Sequence, residues 1–494
     1  MNPRHVPTPK LQSALYLSPS SSPPLSHTKL TTSAMDETLH SCTSNNAPHV
    51  AVLSFPFASH PMSLFMLVRR LIGAAPDVMF SFFGTGNSNA MIFKNIDKGL
   101  ENLRTYDVDD GIPENYVFTG KRQEDIELFM KVTPWNFKKS LEVAVMERGK
   151  KITCLLSDAF LWFSADVAEE LGVPWIAAYF GGACGLTTHV NSDLIRSTIG
   201  VGPSAIAGRE DETLDFIPGL SSLPIRDVQE GIIIGDLESA FNRMLHQMGQ
   251  KMPQATAVVV NDFEELNPPI IKDLKSKFRN CLSVAPFTLN YPPQSDSDTS
   301  GCLSWLDKQK PSSVVYISFG TVGGLPLPEL EVLAEGLEAS GTPFLWSLKD
   351  KLKEQLPDSF LNKTRKRGLI VPWVPQLRVL QHTAVGVFMT HCGWNSVLES
   401  ILNGIPVIGR PIFGDHHLNG RFISDVWKIG IRIDHGVYTK DGVMKGLDLM
   451  LCKEEGKKMM EKAQALKELA KRAIEIDGST SRNFQTLLQM VSTT

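Results

Sequence analysis

From His49 onward, short apolar runs alternate with helical stretches, and each run stops at a polar or glycine turn. His49 to Phe55 is apolar and β-branched and is bounded by Pro56, which predicts a buried first strand. After a loop of Phe57, Ala58, Ser59 and His60, the periodicity of Pro61 to Ile72 predicts a helix opened by proline. Val78 to Phe83 predicts the next strand, ending at Gly84. This order and spacing belong to a parallel α/β sheet. Ile152 to Leu156, closed by Ser157-Asp158, and Trp175 to Tyr179 repeat the unit, and Ala257 to Val260 completes the first half. The most apolar run, Trp175 to Leu186, is glycine-interrupted and reads as a buried strand and turn.

Between Phe287 and Gly301 the composition shifts to Pro, Ser and Asp, as in a linker, and a second series follows. Strands are predicted over Ser313 to Phe319, Pro343 to Leu348, Leu369 to Val371, Val385 to Thr390 and Val407 to Gly409, with a helix over Pro328 to Ser340. The last stretch, rich in Lys, Glu, Leu and Ala, reads as helices. The expectation is two doubly wound, Rossmann-like α/β domains of 47–286 and 302–475, with a linker of 287–301. A final helix within 476–494 is expected to pack back on the first domain. Two such domains place ligands in the cleft facing both sets of strand C-termini.

Residues 1–46 are dense in Ser, Pro and Thr and hold no acidic residue before Asp36. Such a leader buries too little apolar surface to order itself. It reads as disorder, with an internal start at Met35 as one option and a transit peptide as the other. Of the 494 residues, 42% are hydrophobic and 21% charged, and the net charge is −4. That balance gives no reason to expect nucleic acid or an anionic membrane as partner. The seven cysteines are scattered and form no Cys-x-x-Cys pair, so reduced thiols in a cytoplasmic protein are expected. No stretch approaches the ~20 apolar residues of a membrane span.

Chemistry concentrates in the 44 residues from Trp373 to His416. Trp373 offers a flat face of the size of a uracil ring. Glu399 lies one helical turn past Ser396, where a carboxylate can accept from ribose hydroxyls. His391 to Ser396 falls between a strand and a helix, where a glycine turn presents N–H groups and the helix dipole to a diphosphate. Ser318-Phe319-Gly320-Thr321 is a second such turn. Taken singly, Trp373 and Trp394 read equally well as core, and Asn395-Ser396 as a helix cap.

Together, Trp373-x-Pro375-Gln376, His391-Cys392-Gly393-Trp394-Asn395-Ser396, Glu399, Gly404-x-Pro406, Pro411 and Asp415 closely resemble the nucleotide-sugar box of plant secondary-metabolite glycosyltransferases. The similarity extends from Pro48 to the C-terminus. Gly208-Arg209-Glu210-Asp211-Glu212, Asp215-Phe216-Ile217-Pro218-Gly219 and Arg122-Gln123-Glu124-Asp125-Ile126-Glu127 resemble the flavonoid and anthocyanidin 3-O-glycosyltransferases in particular. The resemblance implies a GT-B fold, with an N-terminal acceptor domain and a C-terminal UDP-sugar domain. It also implies an inverting, metal-independent reaction with a UDP-sugar as co-substrate and no cofactor. By the same resemblance Thr321, His391, Asn395 and Ser396 bind diphosphate, Gln376 and Glu399 hold ribose, and Asp415 with His416 holds the sugar; Trp394 joins this donor set.

Transfer to a phenol needs a base, and histidine suits it because its ordinary pKa of ~6.5 lies near operating pH. His60 follows the first strand and Asp158 ends another, so both can reach the cleft. A carboxylate on the ring would fix the tautomer and stabilise the imidazolium. Alone, His60 reads as a solvated loop residue and Asp158 as a helix cap; in the family the matching pair is the base and its partner. Asp107-Val108-Asp109 resembles a DxD metal motif but reads as a charged loop away from the phosphate turns.

Positions matching the family's acceptor pocket are Gln123, Phe160, His189, Phe241 and Phe413. His416 departs from the glutamine of most glucose-using members and agrees with several galactose-using ones, so galactose is the expected sugar and glucose the alternative. Phe180 is a second departure, because relatives commonly carry a small hydroxyl residue there. A phenyl ring at that place either reshapes the sugar pocket or points into the core. A monomer with a UDP-hexose donor and a flavonol or anthocyanidin acceptor is expected, and a non-catalytic flavonoid-binding protein is the rival of another class. A nicotinamide oxidoreductase is disfavoured because Gly84-Thr85-Gly86 lacks the third glycine, and a hydrolase because no Gly-x-Ser-x-Gly elbow occurs.

Overall fold

Thirteen parallel strands form two sheets in a computed structural model that describes residues 47–94, 100–121, 123–288, 298–320, 324–433 and 436–493. The first sheet contains β1 (His49–Leu53), β2 (Met79–Thr85), β3 (Leu103–Val108), β4 (Cys154–Asp158), β5 (Trp175–Tyr179), β6 (Ala257–Val260) and β7 (Cys281–Ser283). Its order is β3-β2-β1-β4-β5-β6-β7. The second contains β8 (Val314–Ser318), β9 (Phe344–Ser347), β10 (Gly368–Val371), β11 (Val385–Thr390), β12 (Val407–Gly409) and β13 (Gly430–Arg432), in the order β10-β9-β8-β11-β12-β13. Both are doubly wound. Each winding direction reverses once, between β1 and β4 and between β8 and β11, and such reversals open a crevice at the strand C-termini.

The central strands read as unbroken apolar runs because both of their faces are covered. In β1, Ala51 and Leu53 enter one core layer while Val50 and Val52 enter the layer behind the sheet. In β8, Val315 and Ile317 face one layer and Val314 and Tyr316 the other. The first layer also takes in Trp394, Val397, Ile401 and Trp427, so one apolar core runs through the seam between the sheets.

The last helix, Ser479–Ser492, lies against the first sheet, with Leu487 and Val491 buried in the layer behind it. Arg70 stacks on Phe484 at 4.4 Å, and Asn483 donates to the Ser283 carbonyl at 3.0 Å. Two expectations are corrected. The run Trp175 to Leu186 turns at Phe180 to Gly182 and continues as the helix Ala183–Val190. Asp107 and Val108 belong to the edge strand β3, not a loop; Asp107 accepts from Asn89 at 2.7 Å. No helix among the described residues is long and apolar enough to cross a membrane.

Candidate active site

The N-terminal half of the cleft is built where its sheet reverses. β1 and β4 are neighbours there, so His60, opening the helix after β1, and Asp158, ending β4, meet at the same edge. His60 Nδ1 lies 2.7 Å from Asp158 Oδ2. The carboxylate is buried, and its Oδ1 accepts the backbone N–H of Phe160 at 2.9 Å. A carboxylate can only accept, so Nδ1 carries a proton, and in the neutral imidazole the lone pair is on Nε2. Phe160 (4.4 Å), Phe55 (5.2 Å) and Phe180 (5.4 Å) wall the imidazole. Phe180 points into the core: its ring meets His60 edge to face at 87° and Phe287 at 5.6 Å.

The C-terminal half uses the turns after β8 and β11. His391 is pinched between them: a Cβ on Gly320 would lie 2.8 Å from its ring and one on Gly393 2.4 Å from its Nε2, so both turns require glycine. Burial pushes His391 down to about 4, leaving it neutral. Gly393 leads into the helix Trp394–Asn403 with no side-chain cap, so its first N–H groups are open to an anion. Thr321 lies outside the described residues. Gln376 accepts from Tyr316 Oη at 2.8 Å and donates to Glu399 Oε2 at 2.7 Å and Ser396 Oγ at 3.4 Å. Burial pushes Glu399 up to about 7. Trp373 stands 51% exposed, with a face open for stacking.

Asp415 and His416 begin the helix His416–Arg421. Burial raises Asp415 to about 6, opposed by a hydrogen bond from Asn419 at 3.0 Å. His416 is buried against the edge of His391 (4.8 Å) and the ring of Phe413 (4.5 Å), and burial holds it well below the usual histidine range. Its Nδ1 accepts the Phe413 N–H at 3.3 Å, so Nε2 bears the proton and can only donate. Asn395 Nδ2 reaches across the cleft to Ser59 Oγ at 3.5 Å.

The Trp394 indole is buried in the seam and donates to the Asn261 carbonyl at 2.6 Å, while its backbone N–H opens the uncapped helix Trp394–Asn403. Among the acceptor positions, Phe160 lies 4.4 Å from His60 at a 48° tilt and Phe241 lies 6.3 Å from Phe160. Phe413 joins His416 on the facing wall. Gln123, in a left-handed conformation at φ 61°, precedes the helix carrying Phe129, whose ring meets Phe55 and Phe57. His189 is buried and pushed down to about 4, and its Nδ1 has no partner among the described residues.

Sequence reasoning missed Gln229, Asn419 and Asn261. Gln229 is buried; its Oε1 accepts from Thr188 at 3.0 Å, which turns its NH₂ toward Gly185, beside Asp415. Asn419 ties Asp415 to the Cys392 carbonyl, donating at 3.0 Å to each. Asn261 directly follows β6, as Asp158 closes β4, and that position was the readable signal. Among the described residues no three His, Cys, Asp or Glu side chains group as a metal site.

Comparison with known proteins places these residues in a context. Residues 59–469 match the family described as UDP-glucoronosyl and UDP-glucosyl transferase. The chain is 52% identical over 446 residues to an anthocyanidin 3-O-glucosyltransferase of Vitis vinifera, covering 90% of this chain and 97% of that one. It is 49% identical to an anthocyanidin 3-O-galactosyltransferase of Actinidia chinensis var. chinensis, covering 91% and 98%. Its fold is similar to the crystal structure of a UDP-glucose:anthocyanidin 3-O-glucosyltransferase in complex with UDP, with a TM-score of 0.85, 42% identity, and coverage of 91% and 100%.

Proposed function

This chain belongs to the UDP-glucoronosyl and UDP-glucosyl transferase family, and on that premise we propose that it transfers a hexose from a UDP-sugar to the 3-hydroxyl of a flavonol or anthocyanidin. The observation that carries the reading is the 2.7 Å bond between His60 and Asp158, which leaves Nε2 as a base at the cleft. Nε2 takes the proton of the acceptor hydroxyl as its oxygen attacks the anomeric carbon. The bond from that carbon to the UDP oxygen breaks on the opposite face, so the configuration inverts. Asp158 stabilises the imidazolium that forms.

The leaving diphosphate gains charge, and the open N–H groups at the start of the helix Trp394–Asn403 are placed to meet it without a metal ion. Uracil stacks on Trp373, and ribose lies against Gln376 and Glu399. Phe160, Phe241 and Phe413 supply flat apolar walls suited to fused aromatic rings. The protein works as a monomer in the cytoplasm.

Galactose is the preferred sugar. A glutamine at 416 would both donate and accept, whereas His416, with Nδ1 occupied, offers a single donor. The two hexoses differ only in the direction of one hydroxyl, and one hydrogen bond of about 0.5–1.5 kcal/mol amounts to a preference of about 2- to 12-fold. The test is to incubate the protein with quercetin and UDP-galactose or UDP-glucose and compare initial rates and products. Faster formation of the 3-O-galactoside supports the reading. A glucose preference removes the role given to His416 and keeps the reaction. A protein that binds flavonoid and UDP-sugar together but releases no UDP is a binding protein, and the proposal fails.

A further inference from the structure

Asn261 directly follows β6 in the seam between the domains, 3% exposed, with each of its polar groups engaged. Its backbone N–H donates to the Tyr179 carbonyl at 3.2 Å, and its own carbonyl accepts Trp394 Nε1–H at 2.6 Å. Its side-chain Oδ1 accepts the backbone N–H of Phe287 at 3.2 Å. Its Nδ2 donates to Asn395 Oδ1 at 3.3 Å.

These bonds have only one consistent direction. A backbone N–H cannot accept, so Phe287 obliges Asn261 to present Oδ1 on that side. Nδ2 must then face Asn395, which obliges Asn395 to present its own Oδ1 inward. The NH₂ of Asn395 is thereby left on the cleft side, where it reaches Ser59 Oγ, one residue before His60. A diphosphate is purely an acceptor, so the end of Asn395 that faces it decides between attraction and repulsion.

We propose that Asn261 is a positioning residue that sets the polarity of the Asn395 amide, so that the donor site presents N–H groups to the diphosphate. The inference rests on the donor reading given above. Without Asn261 the amide of Asn395 is free to turn. With an aspartate there, the Phe287 bond survives but the other oxygen can no longer donate, and Asn395 rotates to place its carbonyl toward the cleft.

The test is calorimetric titration of UDP-hexose, without acceptor, into the unmodified chain, Asn261→Ala, Asn261→Asp, Asn395→Ala and the double variant Asn261→Asp/Asn395→Ala. Affinity should fall by about 2- to 5-fold in Asn261→Ala and by about tenfold or more in Asn261→Asp. KM for the flavonoid should stay unchanged. In the Asn395→Ala background, Asn261→Asp should cost less than about twofold further. A loss in Asn261→Asp that persists undiminished in that background would mean that the new charge acts directly, and would overturn the proposal. So would equal losses in Asn261→Ala and Asn261→Asp, or no loss in either. If Asn261→Asp fails to fold, coupling between Asn261→Ala and Asn395→Ala decides in the same way, additive losses counting against the proposal. Failure of the unmodified chain to bind UDP-hexose is a different result: it overturns the donor reading, and this inference with it.

Discussion

His60 and Asp158, 98 residues apart in the chain, share a 2.7 Å bond at the edge where the first sheet reverses direction. Parallel neighbours β1 and β4 deliver both to the same end, and three phenyl rings hold the imidazole in place. Removing the base should therefore abolish turnover while sparing the donor site. In His60→Ala, kcat is expected to fall by about 10²- to 10⁴-fold. Asp158→Asn keeps the shape but loses the charge facing the imidazolium, and should also lose most activity. UDP-sugar affinity by calorimetry should move less than about twofold in both. A large loss of donor affinity would assign the pair to binding.

Trp373 and Trp394 lie in the same 44-residue segment but should fail differently when changed. Trp373 is half-exposed and has a free face, so Trp373→Ala should weaken UDP binding without altering thermal stability. Base stacking on an aromatic side chain amounts to about 1–3 kcal/mol, or roughly 5- to 150-fold. Trp394→Phe instead strands the buried carbonyl of Asn261, at a cost of about 1–3 kcal/mol, and should lower the thermal midpoint. Thermal melts with and without UDP separate the two. A destabilised Trp373→Ala would make that ring structural.

Much of the fold was legible because central strands covered on both faces are buried throughout and carry apolar runs with polar residues only at their ends, as in β1, β4, β5, β8 and β11. The edge strand β3, Leu103–Val108, escaped because Arg104, Thr105 and Asp107 face solvent and break its apolar run. β7 and β13, of three residues each, end in Ser283 and Arg432 and so show no apolar run. The donor segment could be read because its residues are close in sequence. Asn419 and Gln229 could not, since their partners Cys392 and Thr188 are brought to them only by the packing.

Glu399 gives donor binding a pH dependence of definite sign. In the free protein burial raises it to about 7, so below that pH it is mostly protonated. Ribose hydroxyls donate to the carboxylate form, so donor binding lowers its pKa and expels a proton. Affinity therefore rises with pH and levels off above about 7, a gain of about tenfold between pH 6 and 8 for one linked proton. His391, pushed down to about 4, stays neutral throughout that window and does not mask the effect. Titrating UDP-hexose without acceptor at both pH values checks this, since its diphosphate diester does not titrate there. Glu399→Gln should remove most of the dependence, leaving no more than about twofold from Asp415, which burial raises to about 6; a tenfold slope that survives makes another group responsible.

Asp227 should hold the two domains in register. It is buried in the first domain and receives Arg421 Nε at 2.7 Å and Arg432 Nη1 at 3.0 Å, both from the second. Removing one partner of a buried ion pair costs about 3–5 kcal/mol, because the remaining charges are left without compensation. Asp227→Ala leaves Arg432 so placed, while Arg421 keeps Asp425 as a partner, and should lower the urea midpoint. Arg432→Met leaves Asp227 its Arg421 partner and should cost less. Since the cluster lies in the seam, bound UDP-hexose, which also favours the assembled cleft, should recover part of the loss by mass action. A urea midpoint in Asp227→Ala equal to that of the unmodified protein would mean that the apolar seam around Trp394 and Trp427 holds the domains without this clamp.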